Sequence, residues 1–169
     1  MRVVITGGAG FLGRRLARAI VERGHLRDAT GAQREVSAVV LADVVAAEGL
    51  DDPRLRPMAG DVADPAFVAA AIGDDTDSLF HLAAVVSGEA EANFDLGWRV
   101  NFDATRLLLE RCRALARPPK VVFTSSVAVF GGALPDVVPD TQALAPQSSY
   151  GAQKAVGELL VHDYTRKGF

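Results

Sequence analysis

Thr6-Gly7-Gly8-Ala9-Gly10-Phe11-Leu12-Gly13 follows the apolar run Val3-Val4-Ile5 and opens an amphipathic segment. Strand, glycine turn and helix in that order frame a dinucleotide site. In such a frame Gly7 supplies the tight turn, Gly10 lets the backbone approach a pyrophosphate, and Gly13 lets the helix pack closely on the strand. The anion then rests on the unpaired N–H groups at the helix N-terminus. A glycine triplet alone is equally compatible with a mobile turn, so the flanking strand and helix patterns carry the reading.

Outward from this motif, apolar strand-like runs alternate with amphipathic segments, the pattern of a doubly wound (Rossmann) parallel sheet covered on both faces. Strands are expected near Arg2 to Thr6, Val36 to Ala42, Arg54 to Ala59, Ser78 to Leu82 and Lys120 to Ser125. Helices are expected near Phe11 to Arg23, Pro65 to Ile72, Asn93 to Leu115 and Ser148 to Arg166. The first helix carries Leu12, Leu16, Ala19 and Ile20 at helical spacing and stops at Gly24, a residue suited to a left-handed terminus. Asp64 is placed to cap a helix that begins at Pro65. Pro118-Pro119 ends the long helix. Arg27 to Glu35 reads as a polar insert, and Gly131 to Gln147 as a long loop of the kind that is functional or disordered.

A chain of 169 residues with 49% hydrophobic content is one ordinary domain with a sizeable core. Its net charge of −3 and the lack of any Lys/Arg-rich run give no electrostatic footprint for nucleic acid or an anionic membrane, and neither partner is expected. No signal peptide or membrane-length apolar run is visible, and one cysteine fits a reducing, cytoplasmic compartment. Cys112, among leucines, reads as a small apolar filler.

Asp43 ends the second strand. A carboxylate there accepts from both adenosine ribose hydroxyls and opposes a 2′-phosphate, which favours NAD over NADP. Asp43 lies 30 residues beyond Gly13, against about 20 in the simplest version of the motif; the polar insert accounts for the excess. Arg14 and Arg15 remain alternative phosphate partners. Asp61, after the third strand, suits either the adenine amino group or a turn cap.

The candidate chemistry lies on later strands. Tyr150 and Lys154 are four apart and share a helix face, roughly 6 Å apart at Cβ. A lysine ammonium beside a phenol favours the phenolate, the form that accepts a proton. Ser126, beyond the fifth strand, is placed to hold a substrate hydroxyl or carbonyl, because open α/β sheets bind ligands at strand C-terminal ends. No His, Cys, Asp or Glu set has metal spacing, so no metal is expected, and His81 reads as a packed or hydrogen-bonded histidine. Trp98 and Phe102 read as core.

With Thr6 to Gly13, His81-Leu82-Ala83-Ala84, Asn101, Thr124-Ser-Ser-Val-Ala-Val-Phe-Gly131 and Tyr150-Gly-Ala-Gln-Lys154 on one chain in this order, the sequence resembles the N-terminal part of an extended short-chain dehydrogenase/reductase of the NAD-dependent epimerase/dehydratase group. The resemblance implies a Ser126, Tyr150, Lys154 triad. It also implies a cofactor lining of Gly7, Gly10, Phe11, Leu12, Gly13, Asp43, Asp61, Val62, Leu82, Ala83, Ala84 and Asn101, with Tyr150 and Lys154 at the nicotinamide ribose. Ser87 and Glu89 are implied near a small-molecule substrate, or else belong to a solvated loop. Dehydratases of this group carry an acidic pair after the catalytic hydroxyl; Val127 and Ala128 stand there, which disfavours dehydration and leaves dehydrogenation ahead of epimerisation, and His81 through Glu89 with the Phe130-Gly131-Gly132 ending resemble the sugar-acid dehydrogenases of the group. A non-catalytic NAD sensor is the alternative from another class, and the intact triad argues against it. Family members continue past the Tyr/Lys helix into a substrate region, so the chain is expected to be incomplete at Phe169. A homodimer through the two long helices is the expected assembly.

Overall fold

The computed structural model describes residues 1–169. Five parallel strands form one sheet in the order β5-β4-β1-β6-β7: β1 (Arg2–Thr6), β4 (Ala38–Asp43), β5 (Leu55–Ala59), β6 (Thr76–His81) and β7 (Lys120–Phe123). From β1 the chain steps one way to β4 and β5, then returns past β1 to β6 and β7. That reversal is the switch point of a doubly wound sheet, and it opens a crevice at the carboxyl ends of β1 and β6.

Period-two alternation along β1 divides the core. Val3 and Ile5 face a layer with Ala17, Ile20 and Val21 of α1 (Phe11–Arg23), while Val4 faces Val68 and Ile72 beside α2 (Pro65–Ala71) and Leu108 and Cys112 of α5 (Ala104–Arg113). Val3, Val4 and Ile5 are fully buried, worth about 1.5–3 kcal/mol each in the removal of side chains from water. Cys112 is filler as expected, and burial pushes its thiol up to about 12.

Local signals end α1 and begin α2 where the sequence places them, whereas α5 stops at Arg113, short of the expected Leu115 and of Pro118-Pro119. Gly24 closes α1 at φ 74° with its N–H on the Ile20 carbonyl, and the Asp64 carboxylate caps α2 by accepting from Ala66 N–H at 2.9 Å. The buried stripe of α1 differs from the expected one: Gly13, Ala17, Ile20 and Val21 face the sheet, and Leu12 is 62% exposed. Close contact of Gly13 with the glycine turn sets the helix rotation and leaves Phe11 and Leu12 at the crevice mouth.

Three segments depart from expectation. The polar insert is an antiparallel hairpin of β2 (His25–Arg27) and β3 (Gln33–Glu35), tied by Asp28, whose carboxylate accepts from Thr30 and Ala32 N–H groups. Ser87–Ala92 forms a short helix, α3. The long helix runs from α4 (Phe94–Gly97) into α5 but contains a π-helical turn, Trp98–Asp103. Residues 131–147 contain no helix or strand, and α6 (Ser149–Arg166) follows, capped by Ser148. No helix is long and apolar enough to cross a membrane.

Candidate functional site

The glycine turn is built by close approach. Gly7 sits at φ 70°, and a Cβ there would lie 2.9 Å from Ala83 N. A Cβ on Gly13 would lie 2.2 Å from the Gly7 carbonyl oxygen, so only glycine lets α1 begin this near β1. Gly8 has a comparable role that the motif does not disclose: its Cβ would lie 2.7 Å from Leu41 Cα on the neighbouring strand. Gly10 differs, with only the Gly7 oxygen nearby at 3.3 Å, which leaves room beside its backbone. As N-cap it brings no side chain, so the first-turn N–H groups of α1 have no side-chain acceptor. This cradle fits the pyrophosphate of a dinucleotide.

Asp43 completes that end. One carboxylate oxygen accepts from Ala9 N–H at 3.0 Å and the other from Val44 N–H at 2.8 Å, fixing the group between the glycine turn and the end of β4. Each oxygen retains acceptor capacity for a ribose hydroxyl. A cavity of about 550 Å³ opens here, and Gly7, Gly10, Phe11, Leu12, Gly13, Asp43, Asp61, Val62, Leu82, Ala83, Ala84 and Glu89 all line it.

Five residues that the sequence did not point to also line the cavity: Val44, Val85, Leu96, Arg99 and Val100. Arg99, from the π turn, donates to Asp61 at 2.6 Å and holds that carboxyl below its usual range; the Ala63 N–H bond adds to the effect. Val100 follows it on the same wall. Their signal was not in local sequence, since Asp61 and Arg99 are 38 residues apart. Asn101 is not on this wall. It is 2% exposed, takes Val85 N–H on its amide oxygen at 2.8 Å, and donates to Val85 O at 3.0 Å and Gln153 Oε1 at 2.7 Å. The π turn aims Arg99 outward and Asn101 inward, so Asn101 braces the loop after β6 instead of facing the cavity. Ser87 opens α3 and does not line it.

Beyond β7, Ser126 precedes a turn that packs on the start of α6, the helix bearing Tyr150 and Lys154. Lys154 is 2% exposed, and its ammonium donates to Thr124 O at 2.9 Å, 4.8 Å from the Phe123 ring centre and 5.8 Å from that of Tyr150. Burial lowers its pKa to about 8. Ser126 starts a 3-10 turn, Val127–Val129, and its Oγ accepts from Ala128 N–H at 3.2 Å, leaving the hydroxyl proton to donate elsewhere. The start of α6 presses on this turn through Gly151, where a Cβ would lie 2.2 Å from Ala128 O. Ser125 bonds Glu158 one turn beyond Lys154. Together these contacts set the helix bearing Tyr150 and Lys154 against the Ser126 turn.

His81 is buried, as expected, with both ring nitrogens in hydrogen bonds, to Thr6 Oγ1 at 2.7 Å and Thr105 Oγ1 at 2.9 Å. Burial, and then the Lys154 charge, lower its pKa to about 3.

Comparison with known proteins agrees with this geometry. The model of the NAD dependent epimerase/dehydratase family matches residues 3–169. D-erythronate dehydrogenase of Cupriavidus necator is 60% identical over 169 residues, all of this chain and 52% of that protein. The crystal structure of the nucleoside-diphosphate-sugar epimerase from Agrobacterium tumefaciens superposes with TM-score 0.90 at 41% identity, over 99% of this chain and 49% of its own. Thermus thermophilus UDP-glucose 4-epimerase, crystallised with NAD, gives TM-score 0.81 at 27% identity, over 99% and 51%. The chain thus spans about half the length of the curated relatives it matches.

Proposed function

The chain belongs to the NAD dependent epimerase/dehydratase family, and from that premise we propose that it is the cofactor-binding and proton-transfer half of an NAD-dependent dehydrogenase. Its substrate is a small sugar acid resembling D-erythronate, oxidised at a secondary hydroxyl, C2. The observation that carries this reading is the 60% identity over the whole chain to D-erythronate dehydrogenase. The buried Lys154 ammonium beside the Tyr150 ring supports it independently.

In this reading the glycine turn and the open N–H groups of α1 take the pyrophosphate, and Asp43 takes the adenosine ribose. When bound, the nicotinamide supplies the hydride acceptor. Tyr150 removes the hydroxyl proton as the carbinol C–H electrons depart, so the alcohol becomes a ketone with one proton left on the phenol oxygen. Lys154, held on Thr124 O, stabilises the phenolate before that transfer and reaches the nicotinamide ribose. Ser126 donates to the substrate oxygen. Ser87 and Glu89 face the substrate side, and a homodimer through the helical run 94–113 and α6, in the cytoplasm, belongs to the same reading.

A second reading, a nucleotide-sugar epimerase, is favoured by the 41% identity to the Agrobacterium tumefaciens epimerase. The two differ in whether oxidised product leaves before hydride returns. The full-length protein supplied with D-erythronate and NAD is expected to accumulate NADH, and Tyr150→Phe to abolish this with NAD affinity nearly unchanged. Steady isomerisation of a nucleotide sugar without net NADH would replace the first reading with the second.

A further inference from the structure

One imidazole joins the three parts of the site. His81 is 3% exposed at the end of β6. Its Nδ1 meets Thr6 Oγ1, on the residue before the glycine turn, and its Nε2 meets Thr105 Oγ1 on α5. Its carbonyl accepts from both Thr124 N–H and Thr124 Oγ1. Thr124 in turn offers its own carbonyl to Lys154. Its ring centre lies 5.8 Å from that of Phe123, the ring under the Lys154 ammonium.

Thr105 assigns the ring's proton. A threonine hydroxyl has one proton and two lone pairs. Thr105 Oγ1 gives its proton to Asn101 O at 2.7 Å, so toward His81 it can only accept, and Nε2 must be the donor. With the single ring proton on Nε2, Nδ1 is left bare and takes the Thr6 Oγ1 proton, while the same oxygen accepts from Ala83 N–H at 3.2 Å. The Thr105 hydroxyl, its proton committed to a backbone carbonyl, thereby sets opposite roles for the two ring nitrogens, and Thr6 is placed to serve the second. The run of bonds continues on both sides. Ala83 lines the cofactor cavity, and Asn101 holds Val85 and the Gln153 amide, one residue from Lys154.

We propose that His81 is a positioning residue, fixed by Thr6 and Thr105 with its single proton on Nε2, that holds the loop after β6 and the Lys154 carbonyl acceptor in register with the glycine turn. It touches neither substrate nor cofactor. It acts through Ala83, Asn101 and Thr124. Replacement of Thr105 by Val removes the acceptor for Nε2–H and the donor for Asn101 O with little change in volume, whereas Ser keeps both.

The functional arm rests on the dinucleotide reading above; the spectroscopic arm needs no ligand. In the ¹⁵N-histidine NMR spectrum of the wild-type protein, the His81 ring is expected to show a protonated Nε2 and a bare Nδ1, unchanged between pH 5.5 and 8. Calorimetry is expected to find NAD binding about tenfold weaker in Thr105→Val and restored in Thr105→Ser. A proton on Nδ1, a ring that titrates in that range, or a folded Thr105→Val that binds NAD like the wild type would overturn the proposal. If Thr105→Val fails to fold, the spectrum and the Ser variant still decide it. Wild-type protein that binds no NAD would count against the proposed function and leave the tautomer assignment standing on its spectrum.

Discussion

Gly151→Ala is a test of how α6 is set against the Ser126 turn. The added methyl would lie 2.2 Å from Ala128 O, a backbone atom, and 3.1 Å from Pro146 Cβ. Ordinary contact begins near 3.4 Å, so the helix start and the 3-10 turn must part by about 1 Å, a displacement that costs on the order of 100-fold when it separates catalytic groups. That corresponds to about 2.7 kcal/mol of transition-state stabilisation. Stability responds less, because overpacking of about 1–3 kcal/mol is offset by about 1 kcal/mol from alanine's better helix propensity. NAD binding, centred on β1 and α1, is expected to change little. The assay is NADH formation by the full-length protein under D-erythronate, alongside urea denaturation and NAD calorimetry. A Gly151→Ala enzyme with wild-type kcat/KM would refute the argument that this contact fixes the distance between Ser126 and Tyr150.

Asp43 is expected to make NAD bind more tightly than NADP, since its carboxylate opposes a 2′-phosphate; calorimetry with both cofactors checks this, and equal or tighter NADP binding would remove the assignment. Asp43→Ala is expected to narrow that preference and also to weaken NAD about tenfold, because Ala9 and Val44 N–H groups lose their acceptor. His81 predicts a pH dependence of stability. Its folded pKa, about 3, lies below the ordinary 6.5, so the unfolded chain binds the proton better, and the stability present above pH 6.5 is lost as pH falls toward 3. Between pH 7.5 and 5.5 the loss amounts to about 1 kcal/mol, above the range where carboxylates protonate; a flat urea-denaturation free energy over that interval would show that the ring is not held neutral.

What the sequence discloses follows from which contacts are local. β1 and β4 are apolar along their middles because both faces of the sheet are covered, so Val3 to Ile5 and Val39 to Ala42 announce themselves. α1 is bounded correctly because Gly10 and Gly24 act within their own turns. The hairpin at residues 25–35 was hidden because Gln33-Arg34-Glu35 is exposed and lacks any apolar alternation. The stripe of α1 shifted by one residue because a backbone contact between Gly13 and Gly7, rather than the apolar spacing alone, sets its rotation. The π turn is a tertiary product as well: Asn101 is drawn inward by Val85 and Gln153, and Arg99 outward by Asp61. The same division runs through the candidate site. Tyr150 and Lys154 are legible as a pair because one helix spaces them. What sets them against Ser126 is a missing methyl at Gly151, a carbonyl on Thr124, and a histidine whose ring is held by residues 75 and 24 positions away. Such contacts have no local pattern, because each depends on strands and helices that meet only after the sheet has formed.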